Sequence, residues 1–311
     1  MNREEIKKQI RILDKKKYKV QKYEISIEKG LLAKVKRLII LNYKFLPYYY
    51  TKYIDKSFEK KAGMFYGKKL VLPLIDANAR FLFFFGTLSV DEYPLTKFLL
   101  KNLKDEDIFY DIGTNFGFYS FLAAKSVTSG EVHCFEPNQM CIKSIEKSRE
   151  LNRMKNLTIN NIGLYSSDGD KSFYGRDISF YHGSAGNSFK ADAAPEKSFK
   201  EISKIKTKTL DSYVKNNTVP TIIKIDVEGS EYEVLEGGVE FLRSESPIIL
   251  IEIWSDLKGS KYSRKAVDML ISLNYLPFLI EDSGDISAIN VKDLYSFNRQ
   301  FANYAFMKLA N

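Results

Sequence analysis

The sequence predicts an α/β fold on a mostly parallel sheet with helices on both faces. Two observations predict it. From residue 107 onward, short apolar runs alternate with stretches of helical spacing. The apolar runs are continuous, as strands buried on both faces are. In addition, glycines follow the first run at the point where a strand must turn into a helix. The expected strands are 108–112 (IFYDI), 131–136 (EVHCFE), 157–164 (LTINNIGL), 221–227 (TIIKIDV) and 247–254 (PIILIEIW). Helices are expected over 117–126, 138–151, 230–243 and 263–273. Near the end, YLPFLIE and NYAFMKL suit two antiparallel edge strands, with a polar loop between them. Residues 166–206 are polar and read as a loop or an inserted hairpin beside the site.

Two segments precede this core. Residues 61–104 read as a β prelude, because MFYGKKLVLPLI and ARFLFFFGTL are rich in strand formers, followed by a helix at YPLTKFLLKNL. Residues 1–60 read as a helical arm, and 61–311 as one domain whose core begins at 105. In the arm Leu31, Val35, Leu38, Leu41 and Phe45 recur at helical spacing, Lys34, Lys36, Arg37 and Lys44 lie between them, and Pro47 ends the run. Such a stripe would dock on its own domain or a second subunit, making a homodimer. Alternatively, it would lie on an anionic membrane surface.

Composition narrows the function. The chain has 311 residues, 44% hydrophobic and 14% aromatic, which excludes wholesale disorder. Cys134 and Cys141 match no metal-ligand spacing and read as core thiols in a reducing compartment. No apolar run approaches the ~18 residues of a membrane span, and the N-terminus carries no secretory signature. A cytoplasmic protein is expected, with the arm peripheral at the inner membrane face. Net charge is +9, but residues 1–60 hold 17 Lys/Arg against 7 Asp/Glu, so the remainder is close to neutral. Nucleic acid is therefore disfavoured as a partner, since its binders are basic over the working surface.

The first glycine turn, Asp111-Ile112-Gly113-Thr114-Asn115-Phe116-Gly117, follows a strand and opens a helix. Gly113 permits a tight turn and Gly117 close helix–strand packing. A dinucleotide fingerprint needs a second glycine where Asn115 stands, because backbone must crowd a pyrophosphate. Asn115 and the carboxylate of Asp111 make a poor phosphate cradle, but one that suits an amino group or a positive charge. An NAD enzyme is thereby disfavoured. Glu136 closes the next strand 23 residues after Gly113, where a carboxylate can accept from two vicinal ribose hydroxyls. A ribose hook beside a non-phosphate turn points to a nucleoside cofactor without phosphates, and S-adenosylmethionine fits. Thr114, Pro137 and Asn161 are assigned to the same cofactor site.

A second cluster lies in TIIKIDVEGSEYE. Lys224 and Asp226 are two apart in an apolar strand and face one side, and Glu228 continues that face if the strand persists. Charge in an apolar strand is costly unless paired or functional. Asp226 is expected to act as a base or to anchor one, with Glu228 next and Lys224 tuning both. Glu252 in the following strand is similarly embedded. His182 is an outside candidate for the base, whereas His133 reads as a sheet residue. No motif demands a metal, although Asp226, Glu228 and Glu252 are hard oxygen ligands.

These stretches carry a resemblance. From about 64 to 311 the chain resembles the FkbM family of S-adenosylmethionine-dependent methyltransferases, through YDIGTNFGFYS, CFEPN, TLDSY (209–213), IKIDVEGSEYEVLEGG and PIILIEIW. The KIDVEGSE element is the most specific of these. The resemblance implies a seven-stranded Rossmann-like sheet with a terminal antiparallel strand. It also implies O-methylation of a sugar, glycan or other small hydroxyl-bearing acceptor. Asp111, Gly113, Asn115 and Gly117 match the cofactor loop, Glu136 the ribose acid, and Lys224, Asp226, Glu228 and Glu231 the second motif. A nucleic-acid methyltransferase is an alternative through the basic arm, but the sequence has neither an Asp/Asn-Pro-Pro-aromatic motif nor a Pro-Cys pair. A non-catalytic scaffold is the second alternative, opposed by the intact Asp111, Glu136 and Asp226.

Overall fold

The structure, a computed structural model, describes residues 1–27, 58–176, 187–190, 199–254, 260–295 and 301–308. The chain begins with α1 (Arg3–Ile27), β1 (Glu59–Gly63), β2 (Lys69–Pro73), α2 (Ala77–Phe85) and α3 (Tyr93–Asn102). It continues with β3 (Ile108–Ile112), α4 (Phe118–Ser126), β4 (Glu131–Phe135), α5 (Gln139–Asn152), β5 (Leu157–Asn160), β6 (Gly163–Leu164), β7 (Gly169–Arg176) and β8 (Phe199–Lys208). Next come α6 (Leu210–Val214), β9 (Ile222–Ile225), α7 (Glu231–Glu236), α8 (Val239–Ser244) and β10 (Ile248–Trp254). The last elements are α9 (Ser260–Ser272), β11 (Leu276–Ile280), β12 (Ile286–Ala288) and β13 (Phe301–Met307).

The central sheet has the order β12-β11-β13-β10-β9-β3-β4-β5. Strands β5, β4, β3, β9 and β10 pair in parallel. Their residues divide by parity between two cores. Phe109, Val132, Ile222 and Leu250 enter one, whereas Tyr110, Ile223, Ile249 and Ile251 enter the other. Both faces are covered, and the strands consequently read as unbroken apolar runs. β13 is antiparallel to both β10 and β11 and sits between them. The two terminal strands are therefore antiparallel to each other, as expected, but β13 lies inside the sheet. The edge is the three-residue β12, which makes eight strands instead of seven.

Several boundaries differ from expectation for local reasons. ARFLFFFGTL was expected as a strand and is mostly helix α2. The Asp76 carboxylate caps it by accepting from the Asn78 and Ala79 N–H groups, and Gly86 ends it in a left-handed conformation. Caps outweigh the β-rich composition here. The stretch 157–164 is not one strand: β5 stops at Asn160, and β6 joins β8 and β7 in a separate sheet. The polar insertion contains an antiparallel β7–β8 hairpin. Strand β9 ends at Ile225, so Asp226 and Glu228 lie beyond it. The helix expected over 230–243 is broken at Gly237–Gly238.

The stripe from Leu31 to Phe45 lies outside the described residues. Helix α1, which precedes it, packs on the domain. Leu13 and Val20 are fully buried, Asp14 pairs with Lys97 at 2.7 Å, and Glu5 pairs with Lys125 at 3.2 Å. Leu13→Ala is expected to cost about 2–5 kcal/mol, read as a lower Tm; a helix that stood off the domain would leave Tm unchanged. No helix among the described residues is long and apolar enough to cross a membrane.

Candidate active site

The carboxyl ends of β3, β4, β9 and β10 open onto a cavity of about 730 Å³, which is the crevice where open parallel sheets place ligands. Its floor is the first glycine turn. Gly113 has φ +79°, and a Cβ there would overlap the Asp226 carbonyl oxygen, so the turn after β3 and the exit from β9 are in backbone contact. Asn115 is also left-handed, at φ +53°. Its N–H donates to Glu136 Oε2 at 2.8 Å, while the Asn138 N–H donates to Glu136 Oε1 at 2.9 Å. The ribose candidate is thus oriented by two backbone donors from two different loops. Burial pushes the Glu136 carboxyl up to about 7.

The predicted cofactor residues divide into two groups. Gly113, Thr114, Asn115, Glu136 and Pro137 line the cavity. Asp111 is fully buried and does not reach it. Its Oδ2 accepts from Thr114 Oγ1 at 2.7 Å and Ser120 Oγ at 2.5 Å, and its Oδ1 lies 3.6 Å from Lys224 Nζ. Asp111 therefore ties the turn, helix α4 and strand β9 together, and contributes no ligand-facing oxygen. Asn161 acts similarly. Its Nδ2 donates to the backbone oxygens of Glu136 and Pro137 at 3.0 and 3.2 Å, holding the end of β4. Gly117 (φ +81°) forms the entry to α4.

Lys224 and Asp226 meet as the two-residue spacing predicts, with Nζ to Oδ2 at 3.1 Å. Burial alone would lower the Lys224 proton affinity, but the Asp226, Asp111 and Glu92 carboxylates outweigh it and hold Lys224 above the ordinary lysine range. The Asp226 side chain is 30% exposed and lines the cavity. Glu228 also lines it, but from a left-handed position (φ +54°) in the turn. Glu231 lies beneath this turn, accepting from the Val227 and Gly229 N–H groups at 3.2 and 3.1 Å. Burial pushes its carboxyl up to about 7. Glu252 lines the same end of the cavity from β10. His182 lies outside the described residues. His133 is a sheet residue, bonded through Nδ1 to the Tyr213 hydroxyl at 2.8 Å.

Sequence reasoning missed Arg80, Glu92 and Tyr119. Arg80 enters the cavity wall from α2. Glu92 Oε2 accepts from the Tyr119 hydroxyl at 2.7 Å and from Asn303 Nδ2 at 3.3 Å, and all three side chains come from different parts of the chain. Burial, then Asp226, raises the proton affinity of Glu92. No local pattern marks Glu92, which is one acid before a helix. Tyr119 was detectable, because it lies on the face of FYSFLAA that turns toward β9. The described charged lining is then five carboxylates (Glu92, Glu136, Asp226, Glu228 and Glu252) against two cations, Arg80 and Lys224.

Fold and site together define an α/β protein with an acid-lined cavity at the carboxyl edge of a parallel sheet. The chain belongs to the FkbM methyltransferase domain family, which matches residues 111–276. It is 29% identical over 165 residues to the hexuronic acid methyltransferase AglP of Haloferax volcanii, a match that spans 52% of this chain and 62% of that protein. Among solved structures, it is similar to the FkbM methyltransferase of Methylobacillus flagellatus, at TM-score 0.43 and 15% identity over 66% of this chain and 44% of that one. It is also similar to an S-adenosylmethionine-dependent O-methyltransferase of Thermotoga maritima, at TM-score 0.39 and 12% identity over 72% and 67% of the two chains. Glu92, which lines the cavity, and its partner Asn303 both lie outside the family-matched segment.

Proposed function

We propose that the chain is an S-adenosylmethionine-dependent O-methyltransferase acting on a hydroxyl of a sugar or related glycan. The observation that carries this reading is the lining charge: five carboxylates against two cations, with Glu136 beside the tight Gly113 turn. Such a cavity offers mostly acceptors where the phosphates of a dinucleotide need donors, and a cationic ligand favours the ionised form of its carboxyls. The Haloferax relative acts, by its name, on a hexuronic acid, which supports a sugar acceptor. When bound, the cofactor supplies an electrophilic methyl group on a positively charged sulfur. The protein's part is to hold and orient. Glu136 accepts from the ribose hydroxyls, and the Gly113–Asn115 backbone forms the floor beneath them. Asp226, fixed by Lys224, faces the acceptor side. Orientation of this kind can supply about 7–11 kcal/mol of a barrier.

Titration calorimetry with S-adenosylmethionine, S-adenosylhomocysteine and NAD tests the reading. The first two should bind and NAD should not. Labelled methyl donor should then transfer to hexose or hexuronate acceptors. Asp226→Asn should keep cofactor affinity within about threefold while turnover falls, because the fixed charge on the acceptor side is lost. Binding of NAD in preference to the sulfonium ligand would overturn the assignment.

A further inference from the structure

We propose that Glu252 takes the proton of the acceptor hydroxyl, with Asp226 as its fixed neighbouring anion, and that the positive charge of the methyl donor is what ionises Glu252. The inference rests on the methyl-donor reading above and assigns the base within it.

Three observations favour Glu252 over Asp226. First, Asp226 Oδ2 is already engaged by the Lys224 ammonium at 3.1 Å. Glu252 has no ion-pair partner among the described residues. Second, Glu252 is 8% exposed yet lines the cavity. Its Oε2 is held by the Trp254 indole N–H at 2.7 Å, and its Oε1 has no hydrogen-bond partner among the described residues. One oxygen is thereby oriented and the other is left for a ligand. Third, Ile251 is paired with Ile225 across β10 and β9. The next residue on each side, Glu252 and Asp226, therefore stand together at the sheet's carboxyl edge.

The surroundings explain why the base would wait for the donor. Asp226 acts on Glu252 from beyond the end of β9, Glu228 and Glu231 from the following turn, and Glu92 from the turn before α3, while Lys224 lines the same cavity. Asn303 is its register partner on β13, and Arg80, Tyr119 and Glu136 are further titratable or charged groups of the same lining. Burial, then Asp226, Glu228, Glu92 and Glu231, push the Glu252 carboxyl well above its usual range, so the pocket of the free protein favours its protonated form. A sulfonium entering this acid-rich pocket favours the ionised form. Glu252 then accepts the hydroxyl proton as the acceptor oxygen bonds to the methyl carbon. The carbon–sulfur electron pair returns to sulfur, and Glu252 ends protonated beside a neutral thioether, as it began.

Proton release on binding tests this without an acceptor. Calorimetric titrations near neutral pH, in two buffers of different ionisation enthalpy, count protons for S-adenosylmethionine and for uncharged-sulfur S-adenosylhomocysteine. Release from Glu136 on binding the ribose is common to both ligands, and the Glu252→Gln variant, which keeps Glu136, separates whatever the sulfonium adds there. The sulfonium ligand should release more protons than the thioether. That excess should vanish in Glu252→Gln, whose amide oxygen still accepts from Trp254, and persist in Glu252→Asp. Equal release by the two ligands in the native protein overturns the inference even if neither variant folds. So does an excess that survives in Glu252→Gln. Binding of neither ligand overturns the donor reading itself, and this inference with it.

Discussion

Gly113→Ala is expected to lower stability by about 3–5 kcal/mol and to abolish measurable cofactor binding. The backbone at Gly113 has φ +79°, a conformation that costs an L-residue roughly 1–2 kcal/mol. The larger part is steric. A Cβ would overlap the Asp226 carbonyl oxygen and come 2.8 Å from its carbonyl carbon. The neighbour is backbone and cannot swing aside as a side chain would. Either the β3 turn or the β9 exit must therefore move, and with it the Asp226–Lys224 pair and the loop that carries Asn115. A Tm drop of roughly 10 °C should appear in scanning calorimetry. Titration with S-adenosylhomocysteine should show affinity reduced by more than about 100-fold, because that corresponds to only about 2.7 kcal/mol. Native-like melting and binding would show that the two loops are not in rigid contact.

Glu136→Ala is expected to weaken S-adenosylhomocysteine binding by about 10²–10³-fold, since each charge-assisted hydrogen bond to a ribose hydroxyl contributes about 1.5–3 kcal/mol and water recovers part of it. The substitution also strips the Asn115 and Asn138 N–H groups of their shared acceptor. The wild-type affinity should depend on pH in a definite direction. Burial raises this carboxyl from 4.5 to about 7, and only the ionised form accepts from both hydroxyls. Affinity should hold above about 7 and fall below it by up to tenfold per pH unit. Stability of the free protein runs the other way. Between 4.5 and about 7 the folded state holds a proton that the unfolded chain has lost, so this group's contribution is full below 4.5 and is lost as pH rises through 7. Glu136→Gln should flatten both dependences. Unchanged affinity in Glu136→Ala would remove the residue from the cofactor site.

Much of the site is legible along the chain, because its signals are local. Gly113 and Glu136 line one cavity with Asn115, and Lys224 pairs with Asp226 at the expected spacing. Roles are less legible than positions. Asp111 stands in the motif as a ligand-facing acid, yet it is fully buried, with Oδ2 taken by Thr114 and Ser120 and Oδ1 lying 3.6 Å from the Lys224 ammonium. Asn161 supports the backbone of Glu136. The direction a side chain takes at a strand's end depends on what packs over it, and helix α4 supplies that cover. Likewise, Phe81 to Phe85 have strand-forming composition, but the Asp76 cap and Gly86 make them a helix.

By itself the sequence determined the parallel sheet, the glycine turn and the family, since unbroken apolar runs, a left-handed glycine and a strand-end acid are all written within a few consecutive residues. Only the tertiary structure decided which acids share a pocket. Glu92 reaches Tyr119 and Asn303 from 27 and 211 residues away, and Glu252 comes beside Asp226 through strand register. Such meetings follow from packing the β prelude and β13 against the sheet's carboxyl edge. They set the electrostatics of the cavity because burial there removes the water that would otherwise screen one carboxylate from the next.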